Sequence, residues 1–403
     1  MSRLSLIERE QLTEEQRRFH DAVKAIRQRA ISGPFIPLMN SSPDLAARFA
    51  HLGHYFLSRG QTDQSILPLR LRTFIALICA RTLDVPYEWS AWAPAALEAG
   101  VPQGAVDDIR EWRKPQNVAT GEALAYDVCT QLMTTPHCVN DATYKAALEH
   151  FGAQGLVELV MTLGYFAMIA FPLNAFEIEM SAGQKATRKP CTPLIIAANS
   201  GQTAGRREVT PFAHRKAGER SSRIPLIARH ADLKAEHQHL FDRIVLTRGH
   251  VPGVFQVLLN TPHVAHRVAN VGAFLLYEGM LPQQIKMLVW LITAREFDCE
   301  YEWGAGASHA RKAGLPQELI DAISRGARPA SLSEEQAEVL AFCHELMRGA
   351  HHISEKTYGA VVARFGVPAA VQIVATLGYF AMMAYVLNAF EVAPDVDESR
   401  PAM

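Results

Sequence analysis

Two stretches of this chain share a triplet able to do acid–base chemistry. Tyr87-Glu88-Trp89 stands in "DVPYEWSAWAPAALEAG" and Tyr301-Glu302-Trp303 in "DCEYEWGAGASHARKAG", 214 residues apart. A glutamate between aromatics is shielded from water, and desolvation raises a carboxyl pKa towards the range in which it passes protons near neutrality. Tyr87 and Tyr301 are its candidate helpers, and Trp89, Trp92 and Trp303 candidate walls of a substrate pocket. The plainer reading puts Glu88 and Glu302 in the first turn of a helix, where a carboxylate complements the helix dipole, and the tryptophans in the core. Both readings fit the residues.

Arg81 and Arg295 lie seven residues before these glutamates. On a continuous helix that spacing puts both on one face, and an arginine fork can hold a substrate carboxylate or pair with a nearby acid such as Asp84. His309 follows Gly306 by three residues, one helical turn, and can offer an imidazole to the same pocket; its counterpart is Ala95, so only the second copy has this option. The blander alternative is a surface histidine, and His137 and His351 read as turn or surface residues. Asn174 and Asn388 sit in very apolar segments, where a buried amide needs partners: they pack across an interface or orient a pocket group. No His, Cys, Asp or Glu cluster has ligand spacing, so no metal is expected.

The whole chain is organised around this doubling. Residues 67–177 align without a gap on 281–391, and "TLGYFAMIAFPLNAFE" returns as "TLGYFAMMAYVLNAFE". The openings "SRLSLI" and "SRIPLI" match as well. Repeat one is placed at 1–180, a Gly-, Ser-, Pro- and base-rich linker at 181–221, repeat two at 222–395 and a tail at 396–403. Apolar residues at three- and four-residue spacing with acidic first turns predict helices throughout. Asn140 and Ser354 are predicted N-caps, and Gly152 and Gly366 are predicted to close the helices that follow them. The fold class is all-α, two helical-bundle repeats.

The 403 residues carry a net charge of −1 and are 49% hydrophobic. Nucleic acid is not an expected partner without a basic patch. Six cysteines without a CxxC are not a disulfide framework. The start lacks a signal peptide's apolar core, so a cytoplasmic location is the expectation. Residues 365–390 contain no charge, but Pro368, Gln372, Thr376, Gly378 and Asn388 dilute them and the earlier copy carries Glu158. They read as a bundle centre rather than a membrane span.

The pattern "LP…(Y)EW…AG(V/L)", followed about 60 residues on by "GY…LNAFE", resembles the carboxymuconolactone decarboxylase family, which shares its fold with the AhpD alkylhydroperoxidases. The resemblance covers about 110 residues of each repeat. It implies two tandem AhpD-like bundles and assembly as closed rings, here a trimer of two-repeat chains. The family's glutamate falls on Thr73 and Met287, and its histidine on Trp92 and Gly306, so both are missing. The peroxidase branch needs a CxxC thiol pair, which falls on Val85 and Glu88, and on Cys299 and Glu302.

The leading expectation is a cofactor-free lyase or decarboxylase for a small carboxylated or lactone-type metabolite. In it Glu302 moves the proton, Tyr301 and His309 help, and Arg295 anchors a carboxylate. The alternative is a non-catalytic small-molecule-binding or scaffold protein that has lost the family's acid–base pair. An AhpD-type peroxidase comes third.

Overall fold

The computed structural model describes residues 2–28, 30–57, 65–179, 222–327, 329 and 332–394. The expected linker at 181–221, with its apolar "LIIAA", and the tail at 396–403 lie outside them. Every regular element among the described residues is helical. The first half contains α1 (Glu14–Arg27), α2 (Phe35–Ser41), α3 (Pro43–Leu57), α4 (Leu69–Thr82), α5 (Pro86–Glu98), α6 (Gln103–Arg110), α7 (Thr120–Met133) and α8 (Asp141–Ala175). The second contains α9 (Gln238–Arg248), α10 (Gly253–Leu258), α11 (Pro262–Ala273), α12 (Gln283–Glu296), α13 (Glu300–Lys312), α14 (Gln317–Ser324), α15 (Glu334–Met347) and α16 (Glu355–Phe390). Each helix from α12 to α16 starts 214 residues after its counterpart among α4 to α8, so the sequence repeat is also a repeat of helices.

Local chemistry sets these boundaries. Thr13 accepts the Gln16 N–H, and the Gln16 side chain returns to the Thr13 N–H, a reciprocal cap that satisfies two otherwise orphan donors. Asn140 accepts the Thr143 N–H at 2.9 Å, and Ser354 accepts the Thr357 N–H at 3.3 Å. Gly152 (φ 67°) and Gly366 (φ 79°) leave the helical region. They end one helical segment, but the next begins at once, so α8 and α16 are each two segments across a kink.

The apolar second segments of α8 and α16 pack on each other at the centre of the molecule. Matching glycines make this approach close. A Cβ on Gly164 would stand 2.6 Å from Met382 Cγ, and one on Gly378 would stand 3.0 Å from the Met168 carbonyl oxygen. Phe166, Phe171, Phe390 and Tyr385 are fully enclosed there, each worth about 1.5–3 kcal/mol of burial. Both helices are long and apolar enough to cross a membrane by length and composition, yet their most apolar windows lie wholly inside the fold. One chain therefore buries both apolar windows.

The matching openings are straps between the halves. Arg3 hydrogen-bonds its own half at the Ala175 carbonyl and the other half at the Ile353 carbonyl and Glu355. Arg223 does the converse, reaching Glu391 in its own half and the Val139 carbonyl and Asp141 in the first. Each guanidinium also lies over a tyrosine of the other half, Tyr358 at 4.5 Å and Tyr144 at 4.8 Å.

Candidate functional site

Glu88 and Glu302 lie in the first turns of α5 and α13, and both are enclosed, 2% and 3% exposed. Neither carboxylate oxygen of Glu88 has a hydrogen-bond partner, and neither does Oε2 of Glu302. Burial alone pushes both carboxyls well above the usual carboxylate range, because a lone buried charge is far costlier than a neutral acid. Glu158 in α8 shows the other way to bury an acid: it accepts from Tyr55 Oη at 2.6 Å, Ser65 Oγ at 2.6 Å and the Ile66 N–H at 2.8 Å. Burial thus favours the protonated form of both glutamates, as proton chemistry would require, but they sit in the core.

Their expected partners are elsewhere. Tyr301 Oη accepts the Gly253 N–H at 2.9 Å, and the Tyr87 ring lies against Gly33. The tyrosines thus hold the chain leading into α10 and α2. Arg81 does not share a face with Glu88, because α4 ends at Thr82 and the chain turns through Asp84 at φ 48° before α5. Arg81 donates to the Arg110 carbonyl at 2.7 Å. Arg295 pairs with Asp298, the i+3 acid.

His309, expected beside Glu302, is exposed; its Nδ1–H donates to the Ala305 carbonyl at 2.9 Å and its ring lies 5.4 Å from Trp290. Asn174 and Asn388 do not orient a pocket group: each donates at 2.8 Å to a carbonyl at the end of α4 or α12, Leu83 or Phe297. Trp89 and Trp303 are buried core residues.

The positions where the resemblance puts a glutamate hold buried Thr73 and Met287. Those where it puts a histidine are filled by tryptophan in two different ways. In the first half Trp92 of α5 meets Phe166 edge-on at 5.2 Å, and the small Ala76 stands on α4 at the position of Trp290. In the second half α13 carries Gly306 instead, and Trp290 of α12, the counterpart of Ala76, stacks on Phe380 at 4.5 Å. A Cβ on Gly306 would touch the Trp290 ring at 3.4 Å. Each half closes the same space with one tryptophan, donated by opposite helices.

Open space lies elsewhere in the second half. A cleft of about 430 Å³ is bounded by α12, α14, α15 and the chain around Gly326. Ile292, Ile323, Leu332 and Leu340 form apolar walls, and Arg295, Glu296, His344 and Arg348 supply the polar side. Arg348 forks onto Glu296 through Nε and Nη2. Burial and the Arg348 charge push the His344 imidazole down to about 4, so it is neutral at pH 7.

The equivalent positions of the first half carry a different charged set: Arg81 matches Arg295, and Arg113 and Asp127 stand where the cleft has Ala327 and Ala341. Thr82, Thr130 and Thr134 replace Glu296, His344 and Arg348. Trp112 replaces Gly326, and its ring lies 4.3 Å from the Arg81 guanidinium. Of the expected site residues, only Arg295 lines the cleft. Column-by-column comparison of the halves, three threonines against Glu, His and Arg with Trp against Gly, is the sequence signal that marks the rest.

Cys299 is buried, and burial together with nearby Glu302 pushes its thiol well above its ordinary range. A peroxide-reducing cysteine needs the reverse, an accessible thiolate with a resolving thiol beside it. Dithiol-dependent hydroperoxide turnover is therefore expected to be negligible, and unchanged in Cys299→Ser; turnover that disappears in that variant would contradict this. Among the described residues no three His, Cys, Asp or Glu side chains are grouped to hold a metal ion.

No family model matches the chain, and no curated protein matches it. Among solved structures it is similar to an alkylhydroperoxidase AhpD core, an uncharacterized peroxidase-related protein from Ralstonia eutropha JMP134. Identity is 20% and the TM-score 0.40, over 45% of this chain and 95% of that one.

Proposed function

We propose that this protein binds a small organic molecule in the second-half cleft and does not use Glu88 or Glu302 for acid–base catalysis. The observation that carries this reading is the second-half cleft itself, with apolar walls, Arg295, Glu296, His344 and Arg348 on one side, and Gly326 where the first half has Trp112. The cleft volume falls within the range of small-molecule sites, about 300–1,000 Å³. A lyase working through Glu302 needs that carboxyl within hydrogen-bond reach of a substrate. The buried carboxyl, with Trp290 filling the space left by Gly306, argues against it.

The test is a fragment screen against the full chain by ligand-detected NMR, repeated with Gly326→Trp and with Glu302→Gln. Gly326 has φ 60° and Trp112 holds φ 59°, so the first half already shows a tryptophan accommodated on this backbone. Binding is expected to disappear in Gly326→Trp and to persist in Glu302→Gln. Binding lost in Glu302→Gln but retained in Gly326→Trp would return the function to the paired glutamates.

A further inference from the structure

Resting on the assignment of this cleft as the ligand site, we propose that its ligand is a small organic monocarboxylate with an apolar body, the carboxylate seated by Arg295 and Arg348. Three features of the lining select this class. The first is sign. The lining itself carries the guanidiniums of Arg295 and Arg348 against the single carboxylate of Glu296, beside a neutral His344, while Asp298 balances Arg295 from outside the lining, so the side facing a ligand presents cationic donors.

The second is donor geometry. Arg295 engages Asp298, and Arg348 gives Nε and Nη2 to Glu296. A guanidinium carries five N–H donors in a fixed fork, so each arginine can serve a ligand carboxylate while keeping its own acid. His344 adds one imidazole N–H. The third is the limit set by Glu296, which is 9% exposed. A second negative charge on the ligand would face this carboxylate, and a ligand ammonium would have to displace Arg348 from it. Dianions, phosphate and amino acids are thereby disfavoured, while Ile292, Ile323, Leu332 and Leu340 receive an apolar body.

The differences from the first half work together. Gly326 stands where the first half has Trp112, Glu296, His344 and Arg348 stand where it has Thr82, Thr130 and Thr134, and Ala327 and Ala341 stand where it has Arg113 and Asp127, so the charges are regrouped on one side.

The experiment is calorimetric titration of the full chain with five probes: benzoate, benzamide, phthalate, phenylalanine and inorganic phosphate. Benzoate is expected to bind, and the other four to bind at least about tenfold more weakly, because one charge-assisted pair is worth about that factor or more. Arg348 is half exposed, so its variants should fold. In Glu296→Gln/Arg348→Gln, which removes the pair together, benzoate affinity is expected to fall about ten- to hundredfold, with benzamide unchanged. Arg348→Lys should recover part of the loss.

No benzoate binding at millimolar concentration would overturn the proposal. So would phenylalanine or phosphate binding more tightly than benzoate. Benzamide and benzoate binding equally, both lost in Gly326→Trp, would overturn the carboxylate assignment and leave the cleft as the site. Benzoate binding that survives Gly326→Trp would overturn the cleft itself.

Discussion

Replacing Glu88 and Glu302 together by glutamine is expected to give a protein whose stability gains on wild type as pH rises from 5 to 8. Burial holds both folded-state carboxyls well above their ordinary pKa of 4.5. Between that value and the raised one the native state binds protons that the unfolded chain has released. Their stabilising contribution is therefore complete below pH 4.5 and is lost progressively as pH rises towards the folded-state pKa. Each fully buried glutamate contributes a slope of up to about 1.4 kcal/mol per pH unit. His266 and His344, pushed down to about 4 by burial, act oppositely between pH 4 and 6.5, adding stability as pH rises. The readout is therefore the difference between variant and wild type in urea midpoint, in which the histidine contribution cancels. A difference that stays constant from pH 5 to 8 would show that the glutamates are solvated or paired.

The tryptophan exchange makes an equally large prediction. Trp290→Ala should destabilise by about 3 kcal/mol, the lower range for emptying a tryptophan site, since Trp290 is only half-buried. Gly306→Trp alone should also destabilise, by about 1–3 kcal/mol, because its side chain enters space that Trp290 holds. Combining them rebuilds the Ala76/Trp92 arrangement of the first half, so the double variant should lie within about 1 kcal/mol of wild type. Thermal or urea unfolding of the four proteins closes the cycle, and a coupling beyond about 2 kcal/mol is expected where two side chains compete for one space. Simple additivity would contradict the account of one space filled from two helices.

Much of the helical frame was legible in the sequence, because caps and periodicity act locally. Asn140 and Ser354 mark helix starts through bonds to residues three positions away. The repeat was legible for the same reason, since it needs no three-dimensional information. The relation of Arg81 to Glu88 was not. It assumed a continuous helix, and the left-handed turn at Asp84 and its counterpart Asp298 breaks it. The surroundings of Glu88 were not legible either, since flanking aromatics are compatible with a pocket wall or with core. His309 failed because two turns along α13 carry the chain from the core to the surface.

The cleft stayed hidden because its contributors come from α12, α14, α15 and the chain beyond α14. It shows only when each residue is compared with its counterpart 214 positions earlier. The openings at Arg3 and Arg223 were visible as repeats but not as straps, since each arginine crosses to the other half.

The division of labour between the halves is tested most directly by a crystal structure of the full chain grown with benzoate. The expected result is one benzoate in the second half, its carboxylate within hydrogen-bond distance of Arg295 and Arg348, with Trp112 in place over Arg81 in the first half. A benzoate beneath a displaced Trp112, or beside Glu88 or Glu302, would contradict the account.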